Sequence, residues 1–272
     1  MATLLLLRHG RSSANTAGVL AGWTPDVHLD DTGREQVKRL SEQLADLPLA
    51  RIVSSPLERC QETAAAVAAP HAGLQVETDE DLGECKYGAW TGRKISELAK
   101  EPLWRTVQDH PAGAVFPPSE DFESESLAGM HARAVAAVRR LDAEIEAQHG
   151  NQAVWCAVSH GDVIKAILAD ALGLHLDQFQ RIMTGPASLS VVRYTPNRPF
   201  VVRVNDQARD VADLMPTKQE SSGDATPGGS TGVPVESDQD TATTGSDSAG
   251  GAAGHDTVAT GSTGSSAVDV AD

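Results

Sequence analysis

Apolar positions along this chain follow two patterns. Short unbroken runs occur at Leu4-Leu5-Leu6-Leu7, at Ile52-Val53 and at Ala153-Val154-Trp155-Cys156-Ala157-Val158. Runs of this length, bounded by polar loops, read as strands buried on both faces. Between them apolar residues recur at helical spacing. Val37, Leu40, Leu44 and Leu47 follow a Thr32/Glu35 capping box and stop at Pro48. A second capping box, with Ser55 as N-cap, Pro56 at the first helical position and Glu58 at the third, opens the next helix. Leu74–Thr78 reads as a third strand, and helical patterns follow around Ile95–Lys100 and Leu103–Val107. Residues 109–125 are rich in proline and acids, long for a structureless connection, and read as a lid or access loop. Ser126 caps a long helix with a stripe at Met130, Ala134, Val138, Leu141 and Ile145, ended by Gly150. Helices are expected over Val163–Leu172 and Leu176–Met183, then a hairpin from Leu189–Tyr194 and Phe200–Val204 at an antiparallel edge. The alternation of strands and helices predicts an α/β domain.

The composition changes after about Asp206. Residues 207–272 contain no Phe, Trp or Tyr and are dominated by Gly, Ser, Thr, Ala and Asp. Such a segment buries too little apolar surface to offset its ordering entropy, so it is expected to be a disordered tail behind a domain at 1–206. The formal net charge is −16, and the tail, with eleven acids against two bases, carries −9 of it. The domain is therefore only moderately acidic, and no basic face suggests nucleic-acid binding. Three cysteines in 272 residues argue against a disulfide framework, and no CxxC pair suggests zinc. No secretory signal is visible, and no apolar run approaches the ~18 residues of a membrane span. A cytoplasmic protein without membrane partners, metal or cofactor is expected.

Two strands end alike. Leu4–Leu7 runs into Arg8-His9-Gly10, and Ala153–Val158 runs into Ser159-His160-Gly161. In open α/β sheets ligands bind just past the carboxyl ends of strands, so parallel neighbours would bring both imidazoles to one edge. Arg59 falls in the first turn of its helix. A cation there opposes the helix dipole, at up to about 1 kcal/mol, unless it faces an anion that the same N-terminus attracts. Two arginines and two histidines suit a phosphoryl group. Guanidinium forks match phosphate oxygens, and a histidine nitrogen can carry the group covalently. A carboxylic acid must protonate the leaving oxygen and then activate water. Glu84 is the candidate, where the acidic run Asp79–Glu84 meets a Gly- and aromatic-rich segment.

Arg8-His9-Gly10, Ser54-Ser55-Pro56-Leu57-Glu58-Arg59, Leu82-Gly83-Glu84 leading to Tyr87-Gly88-Ala89-Trp90, and Ser159-His160-Gly161 together resemble the histidine phosphatase (phosphoglycerate mutase-like) superfamily, over about residues 3–205. The resemblance implies a three-layer α/β/α fold with a mostly parallel sheet. It implies His9 as the phosphorylated nucleophile, Glu84 as proton donor, and Arg8, Arg59 and His160 as the phosphate pocket. It places Asn15 at the phosphoryl group or substrate, with Gly10 and Ser12 shaping the loop. The implied partner is a small-molecule phosphomonoester. Residues 93–116 lack the pattern of the glycolytic mutases, so the chain is more similar to the small phosphatase branch and to actinobacterial proteins labelled probable phosphomutase. Where that branch tends to read Phe-Pro-Gly-Gly-Glu-Ser, this chain has the acidic insertion Pro117–Glu125, expected to disfavour highly anionic substrates weakly. Three rivals remain: a phosphomutase using the same site, a non-catalytic phospho-ligand sensor, and a serine hydrolase with Ser159 on a nucleophile elbow. Cys60 and Cys85 directly follow Arg59 and Glu84; they are either packing residues or an oxidation-sensitive pair.

Overall fold

The computed structural model describes residues 2–207 and 224–229. The elements follow in order: β1 (Thr3–Arg8), α1 (Ser13–Thr16), α2 (Asp31–Leu44), β2 (Leu49–Ser54), α3 (Glu58–Ala68), β3 (Val76–Thr78), α4 (Ile95–Leu98), α5 (Pro102–Asp109), α6 (Leu127–His149), β4 (Val154–Ser159), α7 (Gly161–Leu172), β5 (Leu189–Arg193) and β6 (Phe200–Asp206). Short 3-10 turns lie at Glu80–Leu82, Gly88–Trp90, Pro111–Gly113 and Leu176–Arg181.

One six-stranded sheet has the order β3-β2-β4-β1-β5-β6. β3, β2, β4 and β1 are parallel, and β5 and β6 close the edge antiparallel. The four-leucine run explains the layers. Leu4 and Leu6 enter a core with α6 and α7, whereas Leu5 and Leu7 enter a second core with α2 and α3. Successive strand side chains point to opposite faces, so only a sheet covered on both sides uses an unbroken apolar run. The result is the expected three-layer α/β/α arrangement. Both strong runs are central: β1 pairs with β4 in register, Arg8 opposite Ser159.

α6 follows its sequence pattern. Ser126 accepts from Gly129 N, the Met130–Ile145 stripe is buried, and Gly150 caps the end. Two other helix starts differ from expectation. α2 is capped by Asp30, whose carboxylate accepts from Gly33 N at 2.7 Å, so Thr32 sits inside the first turn. Asp30 also holds Arg11 Nε and Thr16 Oγ1, each at 2.7 Å, and these contacts fix it at the cap. α3 begins at Glu58 with Leu57 at the cap; Ser55 Oγ lies 2.8 Å from His160 Nε2 and accepts only a long 3.4 Å bond from Leu57 N. Residues 109–125 form a wall and not a hanging lid. Phe116 is buried edge-on against Tyr87 and Trp90, and Ser124 and Ser126 bridge to Tyr87 and Val115.

Of the expected tail, residues 208–223 and 230–272 lie outside the described residues. Asp224–Gly229 is described, and it packs on the domain at the carboxyl end of the sheet. Among the described residues no helix is long and apolar enough to cross a membrane.

Candidate active site

β1 and β4 end side by side, and each delivers a histidine. The His9 and His160 ring centroids are 5.3 Å apart at 60°. α3 adds Arg59, and the Glu80–Leu82 turn leads Glu84 in from the other side. Arg8, His9, Arg59, Glu84 and His160 are all buried. His9, Ser12, Asn15, Arg59 and Glu84 line one recess. The sequence-predicted residues thus meet at one place.

The two imidazoles differ in their partners. His9 Nδ1 lies 2.7 Å from the Gly10 carbonyl, which only accepts, so Nδ1 carries the proton and Nε2 keeps its lone pair. His160 is committed on both sides. Arg59 Nη2 donates to its Nδ1 at 3.2 Å, so Nε2 carries the hydrogen and donates to Ser55 Oγ at 2.8 Å. Burial holds both histidines well below their usual pKa, and the charge of Arg59 adds to the effect on each.

Arg59 Nη2 also donates to the Gly22 carbonyl at 2.9 Å, while its buried Nη1 has no hydrogen-bond partner among the described residues. A buried guanidinium N–H without an acceptor carries a desolvation penalty that an anion would remove. Arg8 donates from Nη1 to the Thr184 carbonyl at 2.7 Å, and burial lowers its pKa to about 10. Ser12 and Asn15 form a reciprocal capping box on α1. Asn15 Oδ1 is thereby held by Ser12 at 2.9 Å on the wall of the recess. Gly10 passes so close to α2 that a Cβ would lie 2.7 Å from the Gly33 carbonyl oxygen and from Val37 Cγ2.

Glu84 is pushed up to about 7, first by burial and then by the charge of Asp162, against the pull of Arg59. One carboxylate oxygen accepts from Cys85 N at 2.9 Å, and the other lies 3.8 Å from His160 Nδ1. Its backbone is clamped. Arg133 donates to the carbonyls of Asp81, Gly83 and Glu84 at 2.8–2.9 Å, and Trp23 Nε1 donates to the Glu84 carbonyl. Glu125 holds Arg133 through both carboxylate oxygens, at 2.7 and 3.1 Å. The acidic insertion is therefore partly spent on structure: Glu125 orients the Arg133 clamp and Glu123 pairs with Lys86.

Sequence reasoning missed Arg133, Glu125 and Asp162. Asp162 is buried, accepts from Tyr87 OH at 3.0 Å and pairs with Lys165 at 3.1 Å. A signal existed for it, an acid directly after His160-Gly161. Arg133 and Glu125 are eight residues apart across a helix start and had none. Ser159 does not stand on an exposed elbow. It is fully buried and donates to the Leu82 carbonyl at 2.6 Å, which removes the serine-nucleophile reading. Cys60 and Cys85 are fully buried thiols whose pKa burial raises, Cys60 to about 12, as befits packing residues. Among the described residues no group of three or more His, Cys, Asp or Glu is placed to hold a metal ion.

The chain is 30% identical over 209 residues to phosphoserine phosphatase 1 of Hydrogenobacter thermophilus, covering 75% of this chain and 92% of that protein. It is 31% identical over 225 residues to a Yersinia pestis protein named probable phosphoglycerate mutase GpmB, covering 81% and 99%. Among solved structures, Bacillus stearothermophilus YhfR superposes with a TM-score of 0.66 at 25% identity, over 76% of this chain and 98% of that one. A mycobacterial glucosyl-3-phosphoglycerate phosphatase gives 0.64 at 27%, over 75% and 98%. The family model of the histidine phosphatase superfamily (branch 1) matches residues 4–207, and the chain belongs to that superfamily.

Proposed function

We propose that the chain, whose superfamily membership supports phosphatase or mutase activity, is a phosphomonoester hydrolase working through a phosphohistidine on His9. The observation that carries the proposal is the pairing, in one recess, of a neutral imidazole whose Nε2 is unprotonated with a carboxyl group held at about 7. Arg8 and Arg59 receive the phosphoryl oxygens, with the unpartnered Arg59 Nη1 ready to donate, and His160 completes the pocket by holding the Arg59 guanidinium in place. His9 Nε2 attacks phosphorus as the ester P–O bond breaks, and Glu84 gives its proton to the departing oxygen. Glu84, now a carboxylate, takes a proton from water. That water attacks the phosphohistidine, releases inorganic phosphate and restores both groups. The buried arginines, oriented by His160, supply fixed charge where oxygen charge gathers.

Hydrolysis is favoured over mutase chemistry by the outer wall. Beyond His9, Arg59 and Glu84 the recess is lined by the neutral Ser12 and Asn15, by Val19, Leu20, Ala21 and Ile95, and by Pro227, Gly228 and Gly229, none of which offers a positive charge to a second phosphate. The substrate class is a phosphomonoester whose leaving group has an apolar or weakly polar face. The test is phosphate release, with metal chelated, from a panel of phosphomonoesters including 3-phosphoglycerate. Wild type releases phosphate and His9→Ala does not. Equal release by both removes the phosphohistidine, and interconversion of phosphoglycerates without release shifts the assignment to a mutase.

A further inference from the structure

The recess already has an occupant from its own chain. Asp224-Ala225-Thr226-Pro227-Gly228-Gly229 lies across the mouth, attached at two places. The outer attachment is on α5. Asp224 takes Arg105 Nη1 at 2.8 and 3.1 Å and Trp104 Nε1 at 3.0 Å. Gln108 exchanges two 2.8 Å hydrogen bonds with the backbone of Ala225. The inner attachment is in the phosphate pocket. Arg8 Nη2 donates to the Gly228 carbonyl at 3.1 Å, and Gly228 N donates to buried Asp162 at 2.8 Å.

The local sequence suits this course. Gly229 N donates to the Thr226 carbonyl at 2.8 Å, closing a four-residue turn. Pro227 takes the second position and Gly228 the third at φ +76°, the pattern of a type II turn. Space also demands glycine. A Cβ on Gly229 would lie 2.9 Å from Arg8 Nη1, and one on Gly161 would lie 2.4 Å from the Gly228 oxygen.

We propose that residues 224–229 form an internal strap that docks on α5 and occupies the phosphoryl pocket, so that substrate must displace it. The inference rests on the recess being the phosphoryl site of the proposed reaction. The strap offers Arg8 a neutral carbonyl where a phosphate would offer charged oxygens. An ionised phosphoryl group adds ion pairing and a bidentate match to the guanidinium fork that a single neutral carbonyl lacks, so it displaces the inner attachment. The α5 attachment keeps the strap nearby and makes its return intramolecular, at the high effective concentration of a short tether. The consequence is a raised KM with an unchanged kcat, and a selection for substrates able to compete.

The test uses the full chain and two variants that loosen the outer attachment from opposite sides, Arg105→Ala and Asp224→Ala. Neither residue touches the reacting groups, and Arg105 is mostly solvent-exposed, so its loss leaves the domain intact. Hydrogen exchange reads the strap directly through the amides of Ala225 and Gly228. These are expected to be protected in the wild type, exposed in both variants, and exposed in the wild type on adding orthovanadate as a phosphoryl mimic. KM is expected to fall about tenfold in both variants with kcat unchanged. Coil-like exchange in the wild type overturns the strap. Protection that vanadate leaves intact, with KM equal in all three proteins, overturns the competition. If phosphate release is absent while protection is present and vanadate removes it, the strap stands and the hydrolase reading fails.

Discussion

The ends of β1 and β4 carry nearly the same sequence, a buried strand followed by His-Gly, and the fold gives them different work. His9 precedes a loop. Its Nδ1 is tied to the next residue's carbonyl, which leaves Nε2 unprotonated, and the ring lines the recess. His160 is the N-cap residue of α7, and both ring nitrogens are held, by Ser55 and Arg59. The glycines diverge as well. Gly10 is pressed against α2, whereas Gly161 is pressed against the strap. A motif read from sequence identifies which residue types arrive at the sheet edge. Their protonation and freedom to react are set by neighbours that are distant in the chain.

The contrast can be broken most directly at the two histidines. His9→Ala is expected to lower phosphate release by at least about 1,000-fold, because the nitrogen proposed to carry the phosphoryl group is gone. His160→Ala removes one stabilising contact, and a loss of about 100-fold is expected. Acid-quenched turnover mixtures analysed by mass spectrometry should place the labile phosphate on residue 9 in both wild type and the His160 variant. Phosphate on His160 would erase the asymmetry.

Glu84 sharpens the comparison next, since one of its carboxylate oxygens lies 3.8 Å from the committed imidazole of His160. Glu84→Gln should cost about 100- to 10,000-fold on alkyl phosphates, whose leaving oxygen needs a proton. An aryl phosphate with an acidic leaving group should lose far less in its first step. Equal losses on both would sink the proton-donor role. The pH profile follows from the sign of the shift. Burial raises the Glu84 pKa to about 7, so the acid form persists to neutrality and the donor is lost as pH climbs past it. His9 is lowered, so it stays unprotonated well into the acid range. The alkaline limb should therefore fall near neutrality and disappear in Glu84→Gln. A bound phosphate dianion moves that limb upward, since like charge disfavours the carboxylate.

The smallest effects are at the glycines. Gly10→Ala drives a methyl into the α2 backbone, and destabilisation of about 1–3 kcal/mol is expected in denaturant titration. Gly161→Ala meets the strap, which can leave, so a change under about 1 kcal/mol is expected, accompanied by faster exchange at Gly228. Similar destabilisation at both positions would show the strap to be as fixed as α2.

Much of this was legible in one dimension. The four leucines of β1, the run of β4, the stripe of α6 and the closing hairpin follow from burial and periodicity, which are local. Arg8, His9, Arg59, Glu84 and His160 were recognisable because each stands at the end of a strand, at a helix start or in a spaced motif. Other features were beyond sequence reading for identifiable reasons. Ser55 satisfies every local rule for an N-cap, but the hydrogen-bonding demand of His160, 105 positions away, claims its hydroxyl. Arg133 carries no local signal, and its role depends on three carbonyls delivered by another segment. Asp224–Gly229 sits in a stretch whose composition argues for disorder, and composition averages over six residues that fit one place.

The sequence by itself determined the layers, the order of the motifs and the chemical inventory, because hydrophobic burial and capping act over a few residues. Only the tertiary structure decided which histidine has both ring nitrogens held, what raises Glu84 and what fills the pocket. Desolvation, Coulomb fields and hydrogen-bond competition depend on distances in space, which chain separation does not encode.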